Sequence, residues 1–497
     1  MLKPFWLYNN LALFKFSELK IDLTSTQFKL LKQVVIIHIK FYTMKKTLIA
    51  LLFLFPGVIE AQEPWTLEQC IQFALQNNLQ VKQQELNVKM NESNLLKSKL
   101  DLLPSLNSSA YHSYTFGRAV NDQNSVSEDM SNTSLSLNSS LNLFDGFLKY
   151  NTIKQDEFDL KASVSDVEKI KNNIGLGIAS AYLQILFAEE LVASANRQLE
   201  LTKLQLDRTS ALVKAGSLPE GSLFEIEAQF SSDELQMVNA QNQLDLSYLN
   251  LTQLLELKSV QDFRILKPEL PDIEEAPIVG STPDIFQSAV TTMPQIIGAN
   301  YRVASAEKGI SMAKAYQYPT LTISGSYSTR AQKFLNDYYY DPNPLDGVTE
   351  LVLYKDPSYG DQFKDKASFS FGFNLSIPIF NGWRVRNGIT NARINYDRTQ
   401  LSLETEKNTL FKDIQQAYTD AIAAQKKLKA SRKSLIAFEE AYRYSEQKFN
   451  VGLVTSYDYT NAKTKLAKAE TDLLQAKYEL IFKLKILDFY KGIPIKL

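Results

Sequence analysis

An internal duplication is the feature that most constrains this chain. A displacement of 236 residues aligns the later part of two copies without a gap, and a displacement of 215 residues aligns the earlier part. The matched segments are 144–146 with 380–382, 216 with 452, and 103–106 with 318–321. Self-similarity over so long a period indicates that one structural unit is built twice.

The duplication predicts the domain organisation. The first structural repeat spans 62–257 and the second spans 283–490, and each is predicted to contain a helix, two strands, a long helix and a further helix. A linker rich in Pro and acidic residues, 258–282, joins them, and a C-terminal tail follows at 491–497.

Long stretches of each copy repeat apolar residues every seven positions, which is typical of helices packed lengthwise as coiled coils. The two series are Ile178, Ile185, Val192, Leu199, Leu206 and Val213, and Ile414, Ala421, Leu428, Leu435, Tyr442 and Phe449. A helix from about Phe147 to Lys214 would be roughly 100 Å long at ~1.5 Å per residue. Because Gly216 or Gly452 and then a second heptad helix follow, each copy is predicted to contain a long helical hairpin.

A two-residue period precedes each long helix. In the first copy Leu135, Leu137, Leu141 and Leu143 alternate with Ser and Asn, and in the second 369–379 alternate in the same way. With partner strands at 106–116 and 321–328, the sequence predicts four strands of about ten residues.

Those strands are nearly free of charge, with one apolar face and one Ser/Asn face. This pattern is typical of a transmembrane β-barrel with lipid outside and water inside. Four strands cannot close such a barrel, which needs about eight, so we expect it to be shared between two, three or four chains. The segment 330–366 and its shorter counterpart 117–130 are predicted to be extracellular loops.

The N-terminal region predicts export. A basic start, an apolar run at 47–55 and a small residue at Ala61 form the three regions of a secretory signal peptide, 44–61, with cleavage after Ala61. Residues 1–43 are then an upstream extension or a misassigned start, with translation beginning at Met44.

The composition argues against other classes of protein. The chain has 54 Lys+Arg and 55 Asp+Glu, so it lacks the basic field that attracts nucleic acid. One cysteine, Cys70, and two histidines, His38 and His112, leave little material for a metal site or a histidine-based acid–base centre. We therefore predict no enzyme activity, no cofactor and no nucleic-acid partner.

The order of these elements resembles the TolC-like outer-membrane efflux family. The resemblance covers about 65–490, and its most specific segments are 67–74 (LEQCIQFA), 103–106 (LPSL), 380–382 (FNG) and 451–454 (VGLV). It implies an α+β membrane protein with two internal repeats. A homotrimeric twelve-stranded β-barrel, four strands per chain, would lie in outer-membrane lipid and continue into a long α-helical coiled-coil tunnel in the periplasm of a Gram-negative bacterium. On this basis we choose three chains rather than two or four.

The resemblance also implies a function. The chain would be the channel subunit of a tripartite efflux or type I secretion system, a passive conduit that exports small molecules across the periplasm and outer membrane. Its partners would be a periplasmic adaptor (membrane fusion) protein and an inner-membrane pump.

Two kinds of site are implied by the same resemblance, both at the periplasmic end. The hairpin tips expected to contact the adaptor are Gly216, Ser217, Leu218, Pro219, Gly452, Leu453, Val454 and Thr455. Some relatives narrow the entrance with a ring of aspartates, which Asp458 matches at the first position, whereas Asn461 is uncharged at the second. Ordinary helix termination also accounts for the glycines, and ordinary helix capping also accounts for Asp458.

Two other classes of protein are weaker explanations. A secreted or periplasmic coiled-coil structural protein accounts for the heptads and the signal peptide, but not for uncharged strands placed identically in both copies. A hydrolase using carboxylates would need a recognisable paired acidic site, and none is present in the sequence.

Overall fold

The computed structural model describes residues 64–120, 126–259, 263–268, 280–335, 338–340, 351–353 and 357–495. The predicted signal peptide, the segment before it and part of the predicted linker lie outside the described residues. The first copy contains α1 (Leu67–Asn77), α2 (Leu79–Leu100), β1 (Ser105–Val120), β2 (Val126–Phe144), α3 (Leu148–Lys214) and α4 (Glu220–Leu254). The second contains α5 (Thr282–Thr292), α6 (Pro294–Ala315), β3 (Thr320–Phe334), β4 (Tyr338–Tyr340), β5 (Leu351–Leu353), α7 (Tyr359–Asp365), β6 (Ser368–Ser376), α8 (Arg384–Asn450) and α9 (Ser456–Tyr490).

The two copies have the same helical plan. The long helices α3 and α8 each have 67 residues, and the helices that follow them, α4 and α9, each have 35. Both long helices begin after an aromatic residue with left-handed backbone, Phe147 at φ 67° and Trp383 at φ 68°. These positions are matched by the 236-residue displacement, so the duplication extends to local backbone conformation.

The predicted coiled-coil packing is confirmed near the middle of each long helix and is only partial toward the turns. Ile178, Ile185, Ile414 and Ala421 are completely buried, whereas Val192 and the rest of its series toward the turn are only half-buried. A second seven-residue series of mostly small residues is buried instead, comprising Ala181, Ala188, Ala195, Thr202 and Thr209. Pattern reading from large apolar residues missed this series, because small side chains pack by letting the helices approach closely.

A core of apolar side chains joins α1 to the long helix α3. Cys70 of α1 and Ile178 of α3 are fully buried within it. Burial raises the pKa of the Cys70 thiol to about 12, so this cysteine is a small apolar packing residue. The hydroxyl of Tyr182 donates to the carbonyl oxygens of Trp65 and Leu266, which ties the start of the first copy to the linker.

The main sheet has the strand order β1-β2-β3-β6, and all neighbouring strands are antiparallel. Leu137 is paired with Tyr327, and Tyr327 is paired with Phe369, so the apolar residues of neighbouring strands share one face. Tyr327 and Phe369 are 48% and 71% exposed in the single chain, which leaves this face open to an apolar surrounding. The predicted two-faced pattern is therefore confirmed.

The predicted strand lengths of about ten residues were wrong for three strands. β1, β2 and β3 have 16, 19 and 15 residues, and β6 alone, at 9, has about the predicted length. The extra pairs include polar and charged residues such as Asp129, Arg330 and Lys333, which a sequence reading assigns to loops. The segment 330–366 also contains α7, whose residue Gln362 is buried beside the end of β3.

Candidate functional site

The two hairpin turns have the same backbone chemistry. Gly216 and Gly452 adopt left-handed conformations, φ 72° and 76°, which favour glycine. The amide of each following residue bonds back into the helix, from Ser217 to Leu212 O at 2.9 Å and from Leu453 to Lys448 O at 2.8 Å. These bonds satisfy helix-end carbonyls, so both turns are closed by the same glycine-dependent motif.

The helices restart differently after the two turns. Pro219 precedes α4 and makes no side-chain cap bond, whereas Thr455 and Asp458 form a capping box at the start of α9. The Asp458 amide donates to Thr455 Oγ1 at 3.1 Å, and the Thr455 hydroxyl donates to Asp458 Oδ2 at 2.7 Å. Asp458 is thus a capping residue, and both it and Asn461 are exposed in the single chain.

Exposed residues crowd the tips. Gly216, Ser217, Pro219, Gly452 and Thr455 are exposed, and Leu453 is 74% exposed. Leu218 and Val454 are half-buried. An apolar side chain as exposed as Leu453 at a turn marks a candidate contact surface.

A cavity of about 750 Å³ separates the tip of one hairpin from the tip of the other. Its lining combines Leu218 and Pro219 of the first copy with Val454 and Thr455 of the second. Arg208 Nη1 donates to Asn450 Oδ1 at 3.1 Å across the same junction. Six of the eight predicted tip residues therefore line one groove, and the other two, Gly216 and Leu453, do not.

Aromatic side chains form the wall of this groove. Phe449 and Tyr459 are stacked with their ring centroids 4.8 Å apart, and the hydroxyls of Tyr442 and Tyr459 are 2.8 Å apart. Burial raises the pKa of both phenols, so they remain protonated hydrogen-bonding groups at neutral pH.

A buried polar cluster lies farther along the helices, and sequence reasoning missed it. Lys463 Nζ donates to Thr202 Oγ1 at 2.8 Å, and the Thr202 hydroxyl donates to Asp233. Gln229 Nε2 also donates to Asp233, at 2.7 Å. Lys463, Thr202 and Asp233 are 5%, 0% and 3% exposed, and burial lowers the pKa of Lys463. The sequence signal that could have revealed this cluster is the placement of polar Thr202 and Asp233 at heptad positions otherwise held by small residues.

Comparison with known proteins identifies the family. The profile of the outer membrane efflux protein family matches two segments, 70–256 and 285–489, one in each copy. The chain belongs to the outer membrane efflux protein family. It is therefore an outer-membrane efflux channel subunit, and the alternative of a coiled-coil structural protein is not favoured.

Relatives of this efflux protein extend over most of its length. Outer membrane protein TolC of Escherichia coli is 23% identical over 394 residues, which cover 78% of this chain and 73% of TolC. Toxin and drug export protein A of Aggregatibacter actinomycetemcomitans is 22% identical over 355 residues, covering 70% of this chain and 69% of that protein. The crystal structure of CusC has a TM-score of 0.71 at 16% identity and covers 86% of this chain and 92% of its own. The fold of this efflux protein is thus the helical tunnel and β-barrel of the TolC-like channels.

Proposed function

We propose that three copies of this efflux protein assemble into one passive conduit across the periplasm and outer membrane. The observation that carries the proposal is the four-stranded sheet, which presents an apolar face and a Ser/Asn face and is paired on one side only at β1 and β6 among the described residues. Such a sheet is stable in a bilayer when its two outer strands are paired by neighbouring copies. Three copies would supply twelve strands.

The inner end of the conduit is proposed to receive a periplasmic adaptor, which connects the channel to an inner-membrane pump. Support comes from the groove between the two hairpin tips and from the exposed Leu453 beside it. An adaptor tip that inserts an apolar side chain into this groove would bury Leu453 and contact Leu218 and Val454.

Asp458 is proposed to line the entrance of the conduit, with Asn461 one turn farther along α9. The capping box supports this, because it holds the carboxylate at a fixed place near the start of the helix. Three carboxylates at one constriction would attract cations and make the pore cation-selective. The uncharged Asn461 would leave this ring with half the charge of a two-aspartate ring.

The proposed cargo is small molecules. Support comes from a relative, Toxin and drug export protein A, whose name describes the export of toxins and of drugs. Either a tripartite efflux pump or a type I secretion system would use such a conduit.

The function is tested by deleting the gene and exposing cells to a panel of dyes, detergents and antibiotics. We expect sensitivity to increase and to be restored by the wild-type gene. The double variant Leu453→Asp/Val454→Asp should reach the membrane yet fail to restore resistance or capture the adaptor, whereas Lys465→Asn, an exposed change on α9, should restore both. Full resistance in the deleted strain contradicts the proposed function. Adaptor capture by the double variant contradicts the proposed role of the tips.

Conductance across a planar bilayer tests the entrance separately. Asp458→Asn should keep the channel open but reduce its preference for cations, because the carboxylate charge is lost. Thr455→Ser is the matched control, since it preserves the capping box and the charge. Equal selectivity in wild type and Asp458→Asn contradicts the pore-lining role.

A further inference from the structure

The register of the sheet is duplicated along with the sequence. In the first copy β1 and β2 pair Ser105 with Ser140, and in the second β3 and β6 pair Thr320 with Ser376. The 215-residue displacement takes Ser105 to Thr320, and the 236-residue displacement takes Ser140 to Ser376. Both strand pairs therefore have one register, residue for residue.

The pairing of β2 with β3 is a junction between two successive copies of the unit. Leu137 lies opposite Tyr327, and Leu135 lies opposite Thr329. In a barrel built from identical chains, the next junction joins β6 of one chain to β1 of another. A barrel with one geometry throughout repeats the same register at that junction.

The displacements of 236 and 215 residues convert the β2–β3 pairing within one chain into the β6–β1 pairing between two chains. Leu137 corresponds to Phe373, and Tyr327 corresponds to His112. We infer that β6 of one chain pairs antiparallel with β1 of a second copy, with Phe373 opposite His112. The inference rests on the proposed shared barrel and adds the register of its subunit junction.

The complete register follows by antiparallel counting. Toward lipid, the pairs are Phe369 with Phe116, Phe371 with Tyr114, Phe373 with His112, and Leu375 with Ala110. Toward the lumen, they are Ser370 with Thr115, Gly372 with Ser113, Asn374 with Tyr111, and Ser376 with Ser109.

Two features of the single chain support this register independently. The first is the face of the sheet on which each side chain lies. His112 of β1 is paired with Thr133, and Leu135, two residues farther along β2 and so on the same face, is paired with Thr329. Even-numbered β1 residues therefore share the face of the phenylalanines of β6. A register displaced by one residue would pair opposite faces. The second is length, because the partners of all nine β6 residues fall at 109–117, inside β1.

The free edges have the chemistry that this junction requires. Phe116 and Tyr114 of β1 are 75% and 59% exposed, and Phe369 and Phe371 of β6 are 71% and 69% exposed. Neither 105–116 nor β6 contains a charged residue that would discourage edge pairing. Aromatic residues opposite one another, and Ser opposite Thr, are favourable cross-strand pairs.

Paired cysteines test the register. Cys70, the only cysteine, is first replaced by Ala. Two variants then carry cysteines at matched positions, Ser370→Cys with Thr115→Cys and Asn374→Cys with Tyr111→Cys. Two control variants use Ser113→Cys, combined with Ser370→Cys or with Asn374→Cys, and so probe displacements of two residues in either direction.

Oxidation in outer-membrane fractions should link the matched pairs into covalent trimers on a non-reducing denaturing gel. Directly opposed residues have Cα atoms ~4.5–5.5 Å apart, which is within disulfide range. Residues displaced by two positions are diagonal neighbours ~7–8 Å apart, which is too far for a disulfide. We expect at least a several-fold higher yield for matched pairs. A higher yield from either control overturns the register. Failure of all four to link, while the reduced proteins still conduct as trimers, overturns it as well and leaves the proposed function standing. Absence of both trimers and conductance in the wild-type protein contradicts the proposed function itself.

Discussion

The ammonium of Lys463 lies 2.8 Å from the hydroxyl of Thr202, so a buried charge in the second copy is bonded to the first copy. Thr202 passes the interaction on to Asp233 in α4. The two helical hairpins of one chain are thus joined by a polar contact between their helices, in addition to apolar packing.

Replacing Lys463 by Met should destabilise the helical part of the protein. Removal of the ammonium leaves the buried Thr202 hydroxyl without its donor, while Asp233 keeps its bond from Gln229, so we expect a loss of about 1–3 kcal/mol. The midpoint of thermal unfolding, followed by circular dichroism in detergent, measures the effect. Lys465→Met is the control, because Lys465 is exposed on the same helix and its change should be within about 0.5 kcal/mol of zero. Equal midpoints for the two variants would show that the cluster does not stabilise the protein.

Gly146 and Gly382 occupy matched positions, yet their surroundings differ. A Cβ on Gly146 would lie 2.5 Å from Ala315 O and 2.9 Å from Tyr318 Cβ, whereas one on Gly382 would meet nothing within 4 Å. Both have positive φ, so Ala costs roughly 1–2 kcal/mol of backbone strain at either position. We expect Gly146→Ala to reduce the amount of assembled protein in the membrane much more than Gly382→Ala. Similar losses would show that the contact with the end of α6 is unimportant.

The side chain of Gln362 takes the place of a neighbouring strand at the edge of β3. Its side chain accepts from the Gln332 amide at 2.9 Å and donates to the Gln332 carbonyl at 2.8 Å, beyond the point where β6 begins. Gln362→Leu should cost about 1–3 kcal/mol for each main-chain group left unsatisfied. Faster hydrogen exchange of the Gln332 amide is the direct readout. Gln332→Ala keeps the main-chain groups and should leave that exchange rate unchanged, and protection retained in Gln362→Leu would refute the contact.

The pair of Asp420 and Lys483 gives a pH prediction. Lys483 Nζ lies 2.7 Å from Asp420 Oδ2, and this hydrogen bond lowers the pKa of Asp420 below its ordinary value of 3.8. Because the folded state binds that proton less readily than the unfolded state, the contribution to stability is present above pH 3.8 and is lost as pH falls through the folded pKa. Asp420→Asn should therefore lose less stability than wild type between pH 5 and strongly acidic solution.

Thermal midpoints measured across that range test the pair. Asp397→Asn, at an exposed position on α8, is the control and should follow the wild-type acid profile. A wild-type profile for Asp420→Asn would mean that the ion pair does not contribute.

The sequence predicted the features that repeat over short distances. Heptads ending at Gly216 and Gly452 predict hairpins, because a periodic apolar stripe and a left-handed glycine are both local signals. The alternation around Leu137 and Phe371 predicted a two-faced sheet for the same reason.

Long-range polar contacts could not be predicted in this way. Lys463 and Thr202 are 261 residues apart, and each, taken alone, is typical of the solvated face of a helix. The ends of β3 were missed because Arg330 and Lys333 are typical of loops, although they continue the ladder with β2. For Asp458, the sequence predicted a cap and the family resemblance implied a pore residue, and the structure contains the cap.

Single-particle electron microscopy of the purified protein in lipid nanodiscs tests whether three copies close one barrel. We expect particles with threefold symmetry in which twelve strands close one barrel, with the long helices continuing from it on one side. Particles with twofold or fourfold symmetry, or chains whose four strands remain unpaired at β1 and β6, would contradict it.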